Sequence, residues 1–379
     1  VTTASRANFD LAVVGSGIVG LACALAAARA GKRVVVIERD AQANGASVRN
    51  FGFVTITGQQ RGDCWRRAMR SREVWAEIAP QAGIRIEQRG LLVAARRPEA
   101  ADILQAFAAT EMGATCTLYD GQTARKHFPE LASVFPSVLY SPHELRVESR
   151  DAVPRLAAWL EEALGITFLR QAVVTEVAPP HVSTSNGDVS AGAAVICPGD
   201  DFHTLFAGRL RTYELTRCKL QMLRVVPATP FRLSAPLMTD LSLVRYLGYA
   251  ELSEAAPLRA RLEKEQPQHL AWGVHLIAVQ SADGSLVVGD SHVYAPTPDP
   301  FTEEFADRLI LAEYEAVFGH LPQVTERWSG TYASASDRLM LVDTPCDAVR
   351  IVVVTSGTGA STAFAIGEEV IGQLFGIVQ

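Results

Sequence analysis

The hydrophobic pattern opens as strand, tight turn, helix and strand. Residues 9–14 are a short apolar run, 18–30 an Ala/Leu-rich helix, and 33–37 a β-branched run ending at Glu38. Gly31 stands where a helix C-cap belongs. Trp65, Met69, Val74, Trp75 and Ile78 recur at helical spacing over 63–78, and 84–96 reads as a hairpin turning near Arg89-Gly90. Val153, Leu156, Leu160 and Leu164 share one face of a helix over 151–164. Residues 173–177 and 182–185 read as strands, followed by an Asn186-Gly187 turn and a buried strand at 193–197.

From 213 to 293 the texture changes to long alternating strands, expected at 213–226, 237–247, 269–280 and 285–289, with one helix at 255–265. A helix over 302–318 and a strand over 324–332 follow. The end returns to α/β texture: a buried strand at 349–355, a Gly-rich turn at 356–360 and a helix at 362–375. The pattern predicts an α/β protein whose two chain ends build one unit, with a largely antiparallel sheet inserted.

Composition narrows this picture. Apolar residues make up 48 % and charged ones 20 % of the 379, which excludes disorder for the bulk of the chain. The formal charge of −6 argues against nucleic acid as a partner. The most apolar stretch, 11–28, contains Gly15, Ser16, Gly17 and Gly20 and follows Asp10, so it reads as neither a membrane span nor a signal peptide. Residues 1–8 are polar and read as a processed or disordered end. Cys23, Cys64, Cys116, Cys197, Cys218 and Cys346 lie far apart with no metal-ligand spacing, predicting free thiols, no metal site and a cytoplasmic setting.

Gly15-Ser16-Gly17-Ile18-Val19-Gly20 is GxGxxG between a strand and a helix. Gly15 permits the turn, Gly17 lets backbone approach a pyrophosphate, and Gly20 lets helix and strand pack closely; the helix start faces the phosphates with free N–H groups. Glu38, 18 residues after Gly20, stands where a carboxylate accepts ribose hydroxyls, which leaves NAD or FAD. A second Gly-rich loop, Gly357-Thr358-Gly359-Ala360-Ser361-Thr362, precedes the last helix about 340 residues later. One dinucleotide needs one such loop; a second suits a flavin, whose N1–C2=O edge gains negative charge on reduction and is stabilised by a helix dipole.

With Glu38-Arg39, Gly45-Ala46-Ser47, Arg49-Asn50, Gly199, Trp328-x-Gly330 and Asp337, these motifs resemble the D-amino-acid-oxidase-like flavoenzymes, among them glycine and sarcosine oxidases, over essentially the whole length. The resemblance implies a Rossmann-type FAD domain carrying an inserted substrate domain, and oxidation of C–N bonds. It divides the chain into FAD-domain segments 8–80, 146–210 and 326–379 and substrate-domain segments 81–145 and 211–325. It adds Ser47, Arg49, Asn50, Val174 and Gly199 to the FAD contacts. The stretches 47–53, 143–150, 218–222 and 354–359 are similar to FAD oxidoreductases encoded with phosphonate-degradation genes, which implies an aminoethylphosphonate-type amine, N-methylated. Two departures matter. Tyr332 replaces the Arg that clamps carboxylates in amino-acid oxidases. Sarcosine oxidases with covalent flavin carry a Cys shortly before the residue matching Asp337; residues 332–336 hold none, so the flavin is expected to be non-covalent.

In such enzymes a hydride equivalent moves to flavin N5, water hydrolyses the imine, and oxygen or another acceptor reoxidises the flavin; no essential protein base is expected. Arg49, Arg245, Tyr246, His275 and Tyr332 are the candidate substrate contacts, with Arg245 and Tyr246 expected on a strand. On a different strand, over 216–222, Arg217, Lys219 and Gln221 form a polar face opposite Cys218, Leu220 and Met222; Lys219 is a candidate for oxygen activation. Two other readings stay open: an oxidase of N-alkyl glycines or D-amino acids, and a flavin-binding scaffold without turnover.

Overall fold

The computed structural model describes residues 8–377. The expectation for the polar start lies outside these residues except at Asn8, where the first strand begins. Two sheets carry the fold. The first has eight strands, with Met340–Cys346, Val349–Val354, Gly187–Ile196, Asn8–Val14, Val34–Ile37 and Thr167–Leu169 in spatial order along its main path. Asn8–Val14 lies at its centre and pairs in parallel with both Gly187–Ile196 and Val34–Ile37. The second sheet has nine strands and is mostly antiparallel, running from Gln323–Ser334 through Thr216–Val226 and Leu286–Ala295 to Ile86–Ala95 and Ser137–Val147. Phe53–Val54 joins this second sheet, and Gln323–Ser334 crosses the expected division at 325.

The two glycine loops are brought together by the helices they start. Ile18–Arg29 and Gly359–Phe375 pack so closely that a Cβ on Gly367 would come 2.7 Å from the backbone carbon of Ala22. The helix Asp63–Gln81 pins the second of them. Trp75 Nε1 donates to the Ala360 carbonyl at 2.8 Å, its ring meets Phe364 edge-on at 5.1 Å, and Arg67 holds Glu369 with two guanidinium nitrogens. Arg70 likewise binds Glu368, so this arginine-rich face is a clamp rather than a free surface.

Several expected elements differ. Residues 84–96 hold one strand, Ile86–Ala95, not a hairpin: its ladder with Ser137–Val147 is irregular at Arg89/Leu91, and Gly90 takes φ +77° there. The glycine marks a bulge, whose local signal is the same as a turn's. Only Leu237–Thr239 of the expected 237–247 strand is extended. Short helices Asp240–Leu243 and Leu247–Ala250 follow, so Arg245 and Tyr246 sit in the turn between them. Asp240 ends the strand because its buried carboxylate accepts from Arg96 N at 2.7 Å and Arg97 Nη1 at 2.8 Å. Residues 269–280 divide into the end of the helix Pro267–Ala271 and the strand Ile277–Gln280. The expected 285–289 strand continues past its glycine as Leu286–Ala295. No helix among the described residues is long and apolar enough to cross a membrane.

Candidate active site

One continuous cavity of about 580 Å³ is lined from both sheets and from both glycine loops. At its first loop, Gly15 takes φ +100°, and a Cβ there would meet the Cys197 carbonyl oxygen at 2.6 Å. A Cβ on Gly20 would sit 1.9 Å from the Gly15 carbonyl oxygen, so helix and strand could not close. Ser47 Oγ accepts from Ile18 N at 2.9 Å, which leaves its own O–H free to donate. Glu38 Oε2 accepts from Ser16 N at 2.8 Å and Ser16 Oγ at 2.7 Å, and Oε1 accepts from Asp40 N at 3.1 Å. The carboxylate is thus oriented at the strand end with acceptor capacity remaining.

The second loop approaches the same cavity from the other side. Gly357 takes φ +72°, and the ring of Tyr332 lies 3.1–3.4 Å from where a Cβ would be, so the phenol packs on bare backbone. Trp328, Gly330 and Tyr332 share a face of Gln323–Ser334 and pair with Met222, Leu220 and Cys218. Trp328 Nε1 donates to the Arg49 carbonyl at 3.2 Å, and Gly330 leaves room for the Arg49 stem, which a Cβ would crowd at 3.1 Å.

Gly15, Gly17, Ile18, Val19, Gly20, Glu38, Arg39, Ser47, Arg49, Asn50, Val174 and Gly199 line this cavity. So do Gly357, Thr358, Gly359, Ala360, Ser361, Arg245, Tyr246, His275 and Tyr332. Asn50 also braces its own loop, donating to Ala46 O at 2.7 Å and accepting from Gly52 N at 2.7 Å. Two expected residues are elsewhere. Thr362 is buried one turn into the last helix, where its hydroxyl donates to Thr358 O at 3.0 Å. Lys219 points to the opposite side of the sheet, and its ammonium donates to the carbonyls of Phe301 at 2.7 Å and Asp299 at 2.9 Å. The polar face of Thr216–Val226 is the one covered by the helix Glu304–Phe318 and the loop before it, with Gln221 bonded to Asp307. Leu220, on the apolar face, lines the cavity. Lys219→Met is therefore expected to leave flavin reoxidation by oxygen unchanged within about twofold while lowering the melting temperature, as read by stopped-flow and thermal unfolding.

Arg146 is fully buried and donates to Phe51 O, Glu148 and Ser281; Arg150 pairs with Glu326 at 2.7 Å and lies over Trp328.

Asp290, His292 and Tyr294, none of them among the expected substrate contacts, also line the cavity. They lie on the strand Leu286–Ala295 beyond Gly289. The ladder slips between Gln221 and Met222, whose partners are Ser291 and Gly289, leaving Asp290 in a bulge that shifts the phase of the residues after it. His292 and Tyr294 then face the same way as Leu220 and Cys218. The alternation of 290, 292 and 294 was visible in the chain, but only to a reading that carried the strand through the glycine. Arg245 Nη2 donates to Tyr294 OH at 2.9 Å. Burial opposes the Arg245 charge, but Tyr294, Tyr332 and Asp290 outweigh it and keep the guanidinium ionised. Burial pushes the Tyr332 and Tyr246 phenols well above their usual range, so both remain protonated donors.

A parallel sheet whose central strand turns through GxGxxG into a helix, with a second glycine-lined helix start on the same cavity, defines a dinucleotide-binding α/β protein with an attached antiparallel sheet. The chain belongs to the DAO family, FAD dependent oxidoreductase, whose sequence model it matches over residues 10–373. It is an FAD-dependent oxidoreductase, and the scaffold reading is not retained. Solved structures with the same fold include glycine oxidase from Geobacillus kaustophilus, at TM-score 0.78 and 18 % identity, covering 99 % of this chain and 96 % of that one. L-proline dehydrogenase from P. horikoshii matches at TM-score 0.77 and 18 % identity, covering 98 % and 94 %. FAD-bound L-alpha-glycerophosphate oxidase from Mycoplasma pneumoniae matches at 0.75 and 14 %, covering 97 % and 95 %. A comparison with curated protein sequences gives no match.

The residues present fit FAD. The cradle at Gly15, Gly17 and Gly20 admits no side chain without collision at two of its three positions, and Gly199, at φ +63°, lines the cavity with nothing within 4 Å of its missing Cβ.

Proposed function

We propose that the protein oxidises the C–N bond of a small anionic amine, an aminoalkylphosphonate such as N-methylaminoethylphosphonate. The observation that carries this reading is a pair of cations on the cavity wall. Arg49 lines the cavity, and its guanidinium has no bonded partner among the described residues; Arg245 lines it with only a phenol bonded to it. Two guanidinium groups and the phenols of Tyr294 and Tyr332 supply donors for an anion of one to two charges. Bound FAD, held without a covalent link by the two glycine loops, supplies a two-electron acceptor. The protein's tasks are to hold the anion, orient the amine and exclude water. The names of the glycine oxidase and proline dehydrogenase structures point the same way, toward nitrogen-bearing substrates. Oxygen or another acceptor completes the cycle, and six free cysteines are consistent with a cytoplasmic setting.

The test is an amine panel with anaerobic flavin bleaching as readout. Bleaching by N-methylaminoethylphosphonate and not by glycine, sarcosine or D-alanine is the expected result. Bleaching by the amino acids instead would favour an oxidase of N-alkyl glycines or D-amino acids, with Arg245 replacing the clamp that Tyr332 lacks. Tyr332→Phe is expected to keep its FAD and to raise the apparent KM about 3- to 10-fold, the loss of one hydrogen bond. An unchanged KM would remove Tyr332 from the substrate site.

A further inference from the structure

Beside Arg245 the cavity wall changes character. His275, Asp290 and His292 are buried, and one imidazole nitrogen from each histidine and one Asp290 carboxylate oxygen lie within 4.8 Å of one another. His275 Nε2 is 3.1 Å from Asp290 Oδ1, and His292 Nε2 is 3.6 Å from Oδ2. The two rings stack at 5.3 Å with planes 20° apart. Each ring thus meets its own carboxylate oxygen.

Hydrogen-bond accounting fixes the tautomer of His292. Its Nδ1 lies 2.9 Å from the Gly273 carbonyl, which can only accept, so Nδ1 carries the hydrogen. In the neutral ring Nε2 is then a bare lone pair facing a carboxylate oxygen. His275 differs, because its Nδ1 meets the Ser242 hydroxyl at 3.0 Å, which can donate and leave Nε2–H on the side of Asp290 Oδ1, an oxygen with no hydrogen bond of ordinary geometry among the described residues. The corner therefore presents two acceptors, His292 Nε2 and Asp290 Oδ2, with no proton between them, on the cavity wall that Arg245 also lines. Two acceptors 3.6 Å apart match a donor seated at ordinary hydrogen-bond distance from both.

We infer that His292, backed by Asp290, takes the proton from the ammonium group of the incoming substrate. This rests on the amine reading above. The N–H bond breaks with its electron pair left on the substrate nitrogen as the lone pair that C–N oxidation requires. The Nε2 lone pair forms the new N–H bond, and the positive charge moves to an imidazolium beside the Asp290 carboxylate.

Charge and burial set when this happens. Burial first, then Arg245 and His275, push His292 down to about 3 against the pull of Asp290 and the Gly273 carbonyl. The titratable and charged groups acting on it are therefore Asp290 on its own strand, His275, and Arg245 from the turn after Asp240–Leu243. Burial would raise Asp290, but His292, His275 and Arg245 hold its carboxyl below the usual range. Burial is the largest of these influences and stays in place; an anion docked on Arg245 offsets the largest cationic one, so the substrate's own negative end moves the His292 pKa upward. With a singly charged phosphonate the substrate enters as a zwitterion and no net charge is buried.

The test compares holoenzyme with His292→Gln and Asp290→Asn, FAD content serving as the folding control. Anaerobic flavin reduction by N-methylaminoethylphosphonate is followed between about pH 6.5 and 8.5, below the amine's pKa of about 10. The wild type is expected to show a flat kred/Kd, because it accepts the ammonium form. The variants are expected to rise about tenfold per pH unit, because they await the neutral amine. A second readout is NMR of His292 in the holoenzyme, whose pKa is expected to rise when methylphosphonate is added. Parallel profiles in wild type and variants, or a wild-type profile that itself rises tenfold per unit, would overturn the inference; the wild-type profile decides alone if the variants lose FAD. A wild-type flavin that no amine bleaches would instead overturn the amine reading, and this inference with it.

Discussion

Gly20→Ala is expected to yield protein that is almost colourless. The added methyl would lie 1.9 Å from the Gly15 carbonyl oxygen and 3.3 Å from a Val13 methyl. The obstacle is backbone, held on one side by Gly15 N donating to the Ile37 carbonyl at 2.8 Å, so no side-chain rotation relieves it. The helix Ile18–Arg29 must move outward, and two consequences follow. Its free N–H groups leave the position the pyrophosphate requires, and its contact with the last helix at Gly367 loosens the second loop as well. Overpacking of this kind costs about 3 kcal/mol, which corresponds to roughly a hundredfold weaker FAD binding. Flavin absorbance relative to protein absorbance checks this, and a variant that purifies with its full FAD would refute the closeness of that packing.

Arg245→Met is expected to cost about 2–5 kcal/mol in kcat/KM for an aminoalkylphosphonate, or roughly 30- to 4000-fold. The guanidinium is set in a wall with Tyr294 and Tyr332, so its loss cannot be repaired by water alone. For N-methylpropylamine, which has no anion, the same variant should lose less than about fivefold. Its loss also removes a cation from beside Asp290 and His292, letting the His292 ring move up toward its ordinary range. Equal losses for both amines would separate Arg245 from anion recognition.

Much of the cofactor side was legible in the chain because its requirements are local. A glycine in a strand–turn–helix is demanded by collisions within a few residues, as between Gly20 and Gly15, and its neighbours announce the strand and the helix. The substrate side was less legible. Alternation along Thr216–Val226 separates Lys219 from Leu220 but does not say which face meets the cavity; the helix Glu304–Phe318, some 80 residues on, decides that by covering Gln221. Arg245 and Tyr246 reach the cavity from a turn, because the buried Asp240 carboxylate ends their strand against Arg96 and Arg97. Asp290 and His292 were hidden by a glycine that reads as a strand end and instead precedes a bulge.

Taken alone, the amino-acid order determined an α/β nucleotide fold, two glycine-lined helix starts and the family they belong to, because each depends on contacts between near neighbours. Tertiary structure decided which polar side chains share the cavity, and in particular that an arginine and an aspartate–histidine pair stand together in it. Those choices depend on which distant segment covers which face, and burial by a remote helix leaves no mark in the spacing of the residues it covers.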